Sequence, residues 1–90
     1  MVLYRVLIKT SAGNELTAVD SKADRQRFVS KIQALASNPR PNGSQKMAGH
    51  DDRHRVRQGN YRIVYLINDE LDEVTIFKIG DRKEVYRKAV

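Results

Sequence analysis

The sequence predicts a small α+β domain, with a two-helix hairpin packed on one face of an antiparallel sheet. Three observations predict it. The chain opens on a β-rich apolar run, Val2-Leu3-Tyr4-Arg5-Val6-Leu7-Ile8. Two helix-forming stretches then follow before Pro39, and three strand-like runs separated by turn residues come after them. The order is β-α-α-β-β-β; helices first and a meander afterwards segregates the helices to one side of the sheet and leaves the other side open. Function is expected on the open side. Ninety residues make one domain, spanning 1–90, near the lower end of what folds without staples.

In order, the first strand is carried by its run of Val, Leu, Tyr and Ile. Ser11 is placed to cap a short helix running to about Val19, with Leu16 and Val19 inward and Gly13 as a weak point. Ser21 followed by Asp24 fits the S-x-x-[DE] start of a second helix. Phe28, Val29, Ile32, Leu35 and Ala36 form one stripe at helical spacing, and Asn38-Pro39 ends the helix. Lys22, Arg25, Arg27 and Lys31 read as its solvated flank. Arg40 to Asp52 reads as loop, with a short strand around Lys46-Met47. The three closing strands are Arg53–Gln58, Tyr61–Asn68 and Glu73–Ile79, joined by Gly59-Asn60 and by the acidic turn Asp69–Asp72; Gly80 ends the last one.

Composition narrows the chemistry. There is no cysteine, which removes disulfides and thiolate chemistry. No apolar stretch is long enough to span a membrane, and the N-terminus lacks the pattern of a signal peptide, so a cytoplasmic location is expected. Seventeen Lys+Arg against eleven Asp+Glu give a formal charge of +6, which favours a polyanionic partner.

The distribution of that charge is more telling. Gly59-Asn60 between two strand-like runs reads as a two-residue hairpin turn of type II′. In that register Gln58 pairs with Tyr61, Arg57 with Arg62 and Arg55 with Val64; a three-residue turn would instead put Arg62 on the face opposite Arg57. Alternation then puts Arg53, Arg55, Arg57 and Arg62 on one face, and Val56, Tyr61, Ile63, Tyr65 and Ile67 on the other. Two directly opposed arginines destabilise a hairpin. Four on one face suit a phosphate chain, to which each guanidinium offers a planar fork of donors. After Gly80 comes a second cluster, Arg82, Lys83, Tyr86 and Arg87, in which the tyrosine can stack a base or donate a proton. His50-Asp51-Asp52 and His54 match no metal-ligand spacing, and His54 points to the core face, so no metal or other cofactor is expected. Ser11 and Ser44 have no paired base. The acidic turn Asp69, Glu70, Asp72 and Glu73 reads as a solvated loop.

These residues resemble a known family. Arg57-Gln58-Gly59-Asn60-Tyr61-Arg62-Ile63-Val64-Tyr65 is similar to an R-x-G-x-Y-R-[IVL]-[IVL]-Y hairpin. Ile79-Gly80-Asp81-Arg82-Lys83-Glu84-Val85-Tyr86 is similar to an I-G-H-R-x-x-V-Y ending, and Gln45-Lys46-Met47-Ala48-Gly49 to an x-K-L-x-G segment. All three, in this order and at this length, are those of the RelE/ParE toxin superfamily.

The resemblance implies a microbial-ribonuclease-like α+β fold and two functions. RelE-like members of type II toxin–antitoxin systems enter the ribosomal A site and cut messenger RNA there without a metal; ParE-like members inhibit DNA gyrase and generally lack the catalytic set. By motif, Arg62 and Arg82 stand at the catalytic arginines and Tyr86 at the C-terminal tyrosine. Arg53 and Arg55 stand where relatives carry lysines. Catalysis is therefore expected from Arg62, Arg82, Tyr86 and Arg55, and binding of RNA phosphates from Arg53, Arg57, Lys46 and Lys83. Two positions depart from the pattern. Arg55 stays protonated at ordinary pH and makes a poor general base, and Asp81 replaces a histidine. The partners implied are the ribosome with its messenger and a cognate antitoxin, the latter expected to cover exposed apolar positions such as Val64 and Leu66.

Overall fold

The computed structural model describes residues 3–19, 21–47, 53–59 and 61–81. Strand β1 (Arg5–Ile8) is followed by helices α1 (Thr10–Thr17) and α2 (Lys22–Ser37). A two-residue strand β2 (Gln45–Lys46) precedes the meander β3 (Arg53–Gln58), β4 (Tyr61–Asn68) and β5 (Glu73–Asp81). The five strands form one sheet in the order β1-β5-β4-β3-β2. The helices pack on one side of the sheet, as the sequence predicts; the opposite face carries no described helix, yet Val64 and Lys78 on it are buried.

The sheet is mixed rather than purely antiparallel. Strand β1 runs parallel to β5, with Arg5 beside Glu73 and Ile8 beside Ile76. β2 occupies the outer edge of β3, which leaves the β5 edge for the first strand. Cross-links at the base hold β1 there: the Arg5 guanidinium pairs with the Glu73 carboxylate, the Arg5 N–H donates to the Asp72 carbonyl at 2.7 Å, and the Tyr4 N–H to the Ala36 carbonyl at 2.8 Å.

Helix α1 begins one residue before the predicted cap. The Lys9 N–H donates to the Ile76 carbonyl at 3.0 Å. Sheet pairing thus persists through Lys9, which becomes the N-cap, and Ser11 falls inside the helix. Helix α2 starts as predicted, with Ser21 Oγ accepting from the Asp24 N–H at 3.2 Å. Its stripe buries Phe28, Ile32 and Leu35, while Val29 remains exposed. With Ala12, Val19, Val56, Ile63, Tyr65, Ile67, Val74, Ile76 and Ile79 these side chains make the core between helices and sheet. Burial of this set, at about 25 cal/mol per Å² of apolar surface, dominates the stability of so small a domain. Tyr65 adds a buried polar tie, its hydroxyl donating to the Pro39 carbonyl at 2.7 Å. Burial pushes the Tyr65 pKa up. No helix among the described residues is long and apolar enough to cross a membrane.

Candidate functional site

Gly59 opens the β3–β4 turn at φ 62°, in the left-handed region that the tight hairpin turns require and glycine adopts without strain. The register follows: Gln58 opposite Tyr61, Arg57 opposite Arg62, Arg55 opposite Val64 and Arg53 opposite Leu66. Arg53, Arg55, Arg57 and Arg62 therefore share the open face. The other face is anchored by Val56, Ile63, Tyr65 and Ile67 in the core, and by Tyr61, which meets Phe28 edge to face at 5.2 Å between ring centroids.

The four arginines are held differently. Arg55 donates from Nε and Nη2 to Gln45 Oε1 on the neighbouring β2, at 3.3 and 2.9 Å. Arg57 donates from Nε to the Gly59 carbonyl at 3.1 Å. The Arg53 guanidinium lies over the Phe77 ring, 4.6 Å from its centroid. Arg62 is the exception: its Nη1 is buried and has no hydrogen-bond partner among the described residues. Across the sheet from it is Gly80, which has no side chain to offer. Leaving a buried charged donor unpaired is costly, and an anion seated on the open face would remove that cost.

Strand β5 adds residues that the sequence reading missed. Its pairing with β4 slips by one between Val64 and Tyr65, so that Val64 faces Lys78 while Tyr65 faces Ile76. Phe77 is the extra residue of a bulge, a feature that re-aims side chains near functional sites. Ile76 and Ile79 both point into the core, which turns Lys78 toward the open face. Glu15 of α1 secures the bulge, accepting from Lys78 Nζ at 2.5 Å and from the Ile79 N–H at 3.0 Å. The signal was present in the sequence as a broken alternation, apolar at Val74, Ile76, Phe77 and Ile79. Val64, expected as an exposed apolar position, is fully buried instead; in the register it lies between Arg55 of β3 and Lys78 of β5.

Other candidates lie elsewhere. Lys46 pairs with His54, whose ring is buried and stacks on Tyr65 at 5.8 Å; Lys46 therefore leaves the sheet edge on the helix side, apart from the four arginines. Arg82, Lys83 and Tyr86 lie outside the described residues, as do His50, Asp51 and Asp52. No group of three or more potential metal ligands occurs among the described residues. The acidic turn is a solvated loop, as expected, and also a structural clasp. Asp69 accepts from the Tyr4 hydroxyl at 2.6 Å and from Arg40 Nη2 at 2.9 Å. The Arg40 guanidinium, and after it the Tyr4 hydroxyl, hold the Asp69 carboxyl below its usual pKa.

A family model described as the ParE toxin of a type II toxin–antitoxin system matches residues 6–86. The toxin RelE of Mycobacterium tuberculosis is 30% identical over 84 residues, 93% of this chain and 87% of that relative. The chain belongs to the RelE/ParE toxin superfamily. Solved structures agree with the toxin's fold. The RelE–RelB complex of Pyrococcus horikoshii superposes with a TM-score of 0.80 at 29% identity, covering 90% of this toxin and 97% of that chain. The toxin–antitoxin complex RelBE2 of Mycobacterium tuberculosis gives 0.77 at 26%, covering 91% and 94%. The toxin is thus of the RelE type in sequence and in fold.

Proposed function

We propose that this toxin is a ribosome-dependent endoribonuclease that cuts messenger RNA in the A site and so stops translation. The observation that carries the reading is the buried Arg62 guanidinium nitrogen without a partner among the described residues, on a face shared with three further arginines. A scissile phosphate is the ligand that such a face fits: it gains negative charge in the transition state, where fixed donors stabilise it most.

In this reading the 2′-hydroxyl beside the cut attacks the adjacent phosphorus. The bond to the 5′-oxygen breaks, leaving a 2′,3′-cyclic phosphate and a 5′-hydroxyl. Arg62 stabilises charge on the phosphoryl oxygens. Arg82 binds the phosphate or protonates the leaving oxygen, and Tyr86 stacks on the substrate base or assists proton transfer. Arg55, held by Gln45 and permanently protonated, contributes charge rather than a base. Arg53, Arg57 and Lys83 line the path of the RNA backbone. Lys46, on the other side of the sheet, does not join that path. Relatives solved as RelE–RelB and RelBE2 complexes support a cognate antitoxin as the inhibitory partner.

The test uses ribosomes stalled on a defined messenger with an empty A site, with naked messenger as control and new 5′ ends mapped by primer extension. A cut within the A-site codon, absent from naked RNA and lost in Arg62→Ala and Arg82→Ala, is the expected result. A folded toxin that arrests growth and cuts nothing sinks the proposal. The match to the ParE model favours a second reading in that case, inhibition of DNA gyrase, in which Arg62→Ala stays toxic and supercoiling fails instead of translation.

A further inference from the structure

The open face carries an aromatic ring that phosphate binding leaves without a role. Phe77 is the extra residue of the β5 bulge, beside Lys78 and opposite Val64. Regular alternation would give one of two neighbours to the core; the bulge turns both Phe77 and Lys78 away from it. The ring is only partly buried, and two cations from different elements rest on it. Lys9 Nζ is 4.3 Å from its centroid and Arg53 Cζ 4.6 Å.

We propose that Phe77 is a stacking platform for one unpaired nucleobase, with Arg53 and Lys9 holding the phosphates on either side of that nucleotide. The inference rests on the reading of this face as an RNA surface. An aromatic ring set among cations is the combination by which single strands are bound without regard to sequence, since every base offers a flat π-face. Spacing supports it as well. Alternate residues on a strand are about 7 Å apart, so Arg53, Arg55 and Arg57 match the separation of successive phosphates in an extended strand. A backbone tracking along β3 brings a base across β4 to Phe77, where Arg53 already reaches. A cation over a partly exposed ring is held more weakly than a stacked base. An incoming base can therefore take the ring, and the displaced cation moves to the adjoining phosphate. An apolar protein segment fits less well, because two cations rest on the ring and Arg62 Nη1, on the same face, has no hydrogen-bond partner among the described residues.

The protein contains no tryptophan, so Phe77→Trp installs a single fluorescent reporter at the platform. It is titrated with a short oligoadenylate RNA and with an abasic oligomer of equal length and charge, at low salt. Oligoadenylate is expected to quench the reporter saturably, and the abasic oligomer to leave it unchanged. By anisotropy, Phe77→Leu should bind oligoadenylate about tenfold more weakly than wild type and the abasic oligomer equally well. Arg62→Ala should weaken both, and Phe77→Tyr should restore oligoadenylate binding. A folded Phe77→Leu that binds both oligomers as wild type does, with Arg62→Ala weakened and the Trp reporter silent, overturns the platform and leaves the RNA surface standing. A wild-type protein that binds neither oligomer overturns both.

Discussion

A buried, partnerless guanidinium nitrogen costs about 1–3 kcal/mol or more of folding free energy, so Arg62 sits where function and stability pull apart. Replacing it with an apolar side chain of similar length removes the cost together with the anion site. Arg62→Met is therefore expected to melt no lower than wild type. Sulfate should raise the melting temperature of wild type through binding to the folded state alone, and should raise that of Arg62→Met less. A variant that melts well below wild type, or one that responds equally to sulfate, would show that Nη1 is satisfied by some other means. Tyr65 poses the opposite case, a buried hydroxyl whose acceptor is the Pro39 carbonyl. Tyr65→Phe keeps the ring and strands that carbonyl, which should cost about 1–2 kcal/mol and lower the melting temperature by roughly 4–8 °C per kcal/mol. An unchanged melt would mean that water reaches the carbonyl.

Helix α1 is eight residues long, too short to be stable by itself, and carries Gly13 in its middle. That glycine takes no left-handed backbone conformation. A methyl group there would meet Ile8 Cγ2 at 3.7 Å, an ordinary contact. Gly13→Ala should then stabilise the protein by about 0.5–1 kcal/mol, read as a higher urea midpoint with an unchanged slope; a lower midpoint would show that Ile8 cannot accommodate the methyl. The same helix supplies Glu15, which ties Lys78 and the Ile79 N–H into the β5 bulge. A short helix thereby fixes where the last strand turns its side chains. The β3–β4 hairpin needs no such help, since Gly59 and the alternating core residues set its register locally.

Across the whole molecule, one acidic turn gathers distant parts of the chain. Asp69 binds Tyr4 from the N-terminal segment and Arg40 from the loop after α2, while Glu73 meets Arg5. The Asp69 carboxyl is depressed in the folded state by Arg40 first and Tyr4 second. A depressed carboxyl stabilises the fold above its unfolded pKa, about 3.9, and that contribution is lost as pH falls through the folded value. Asp69→Asn should therefore melt below wild type at pH 7, with the gap closing toward pH 3. The contacts are exposed, so the gap should also shrink in high salt. A gap independent of pH would assign the effect to packing instead of charge.

By itself the sequence determined the elements with local causes. Ser21 and Asp24 set the start of α2, Gly59 set the hairpin turn, and the alternation around it placed Arg53, Arg55, Arg57 and Arg62 on one face. The motifs around Arg62 and Arg82 likewise identified the family. These features depend on residues close in the chain, where periodicity and turn chemistry act directly. What depended on distant partners was decided by the tertiary structure. The short run in β1 reads alike in either direction, and only Arg5, Glu73 and the occupied β3 edge made it parallel to β5. The orphaned nitrogen of Arg62, the burial of Val64 and the separation of Lys46 from the arginines all follow from which strand lies beside which. The bulge that turns Phe77 out of the core left a trace in the sequence, but a slipped apolar pattern takes effect only once α1 and β4 have closed on either side of it.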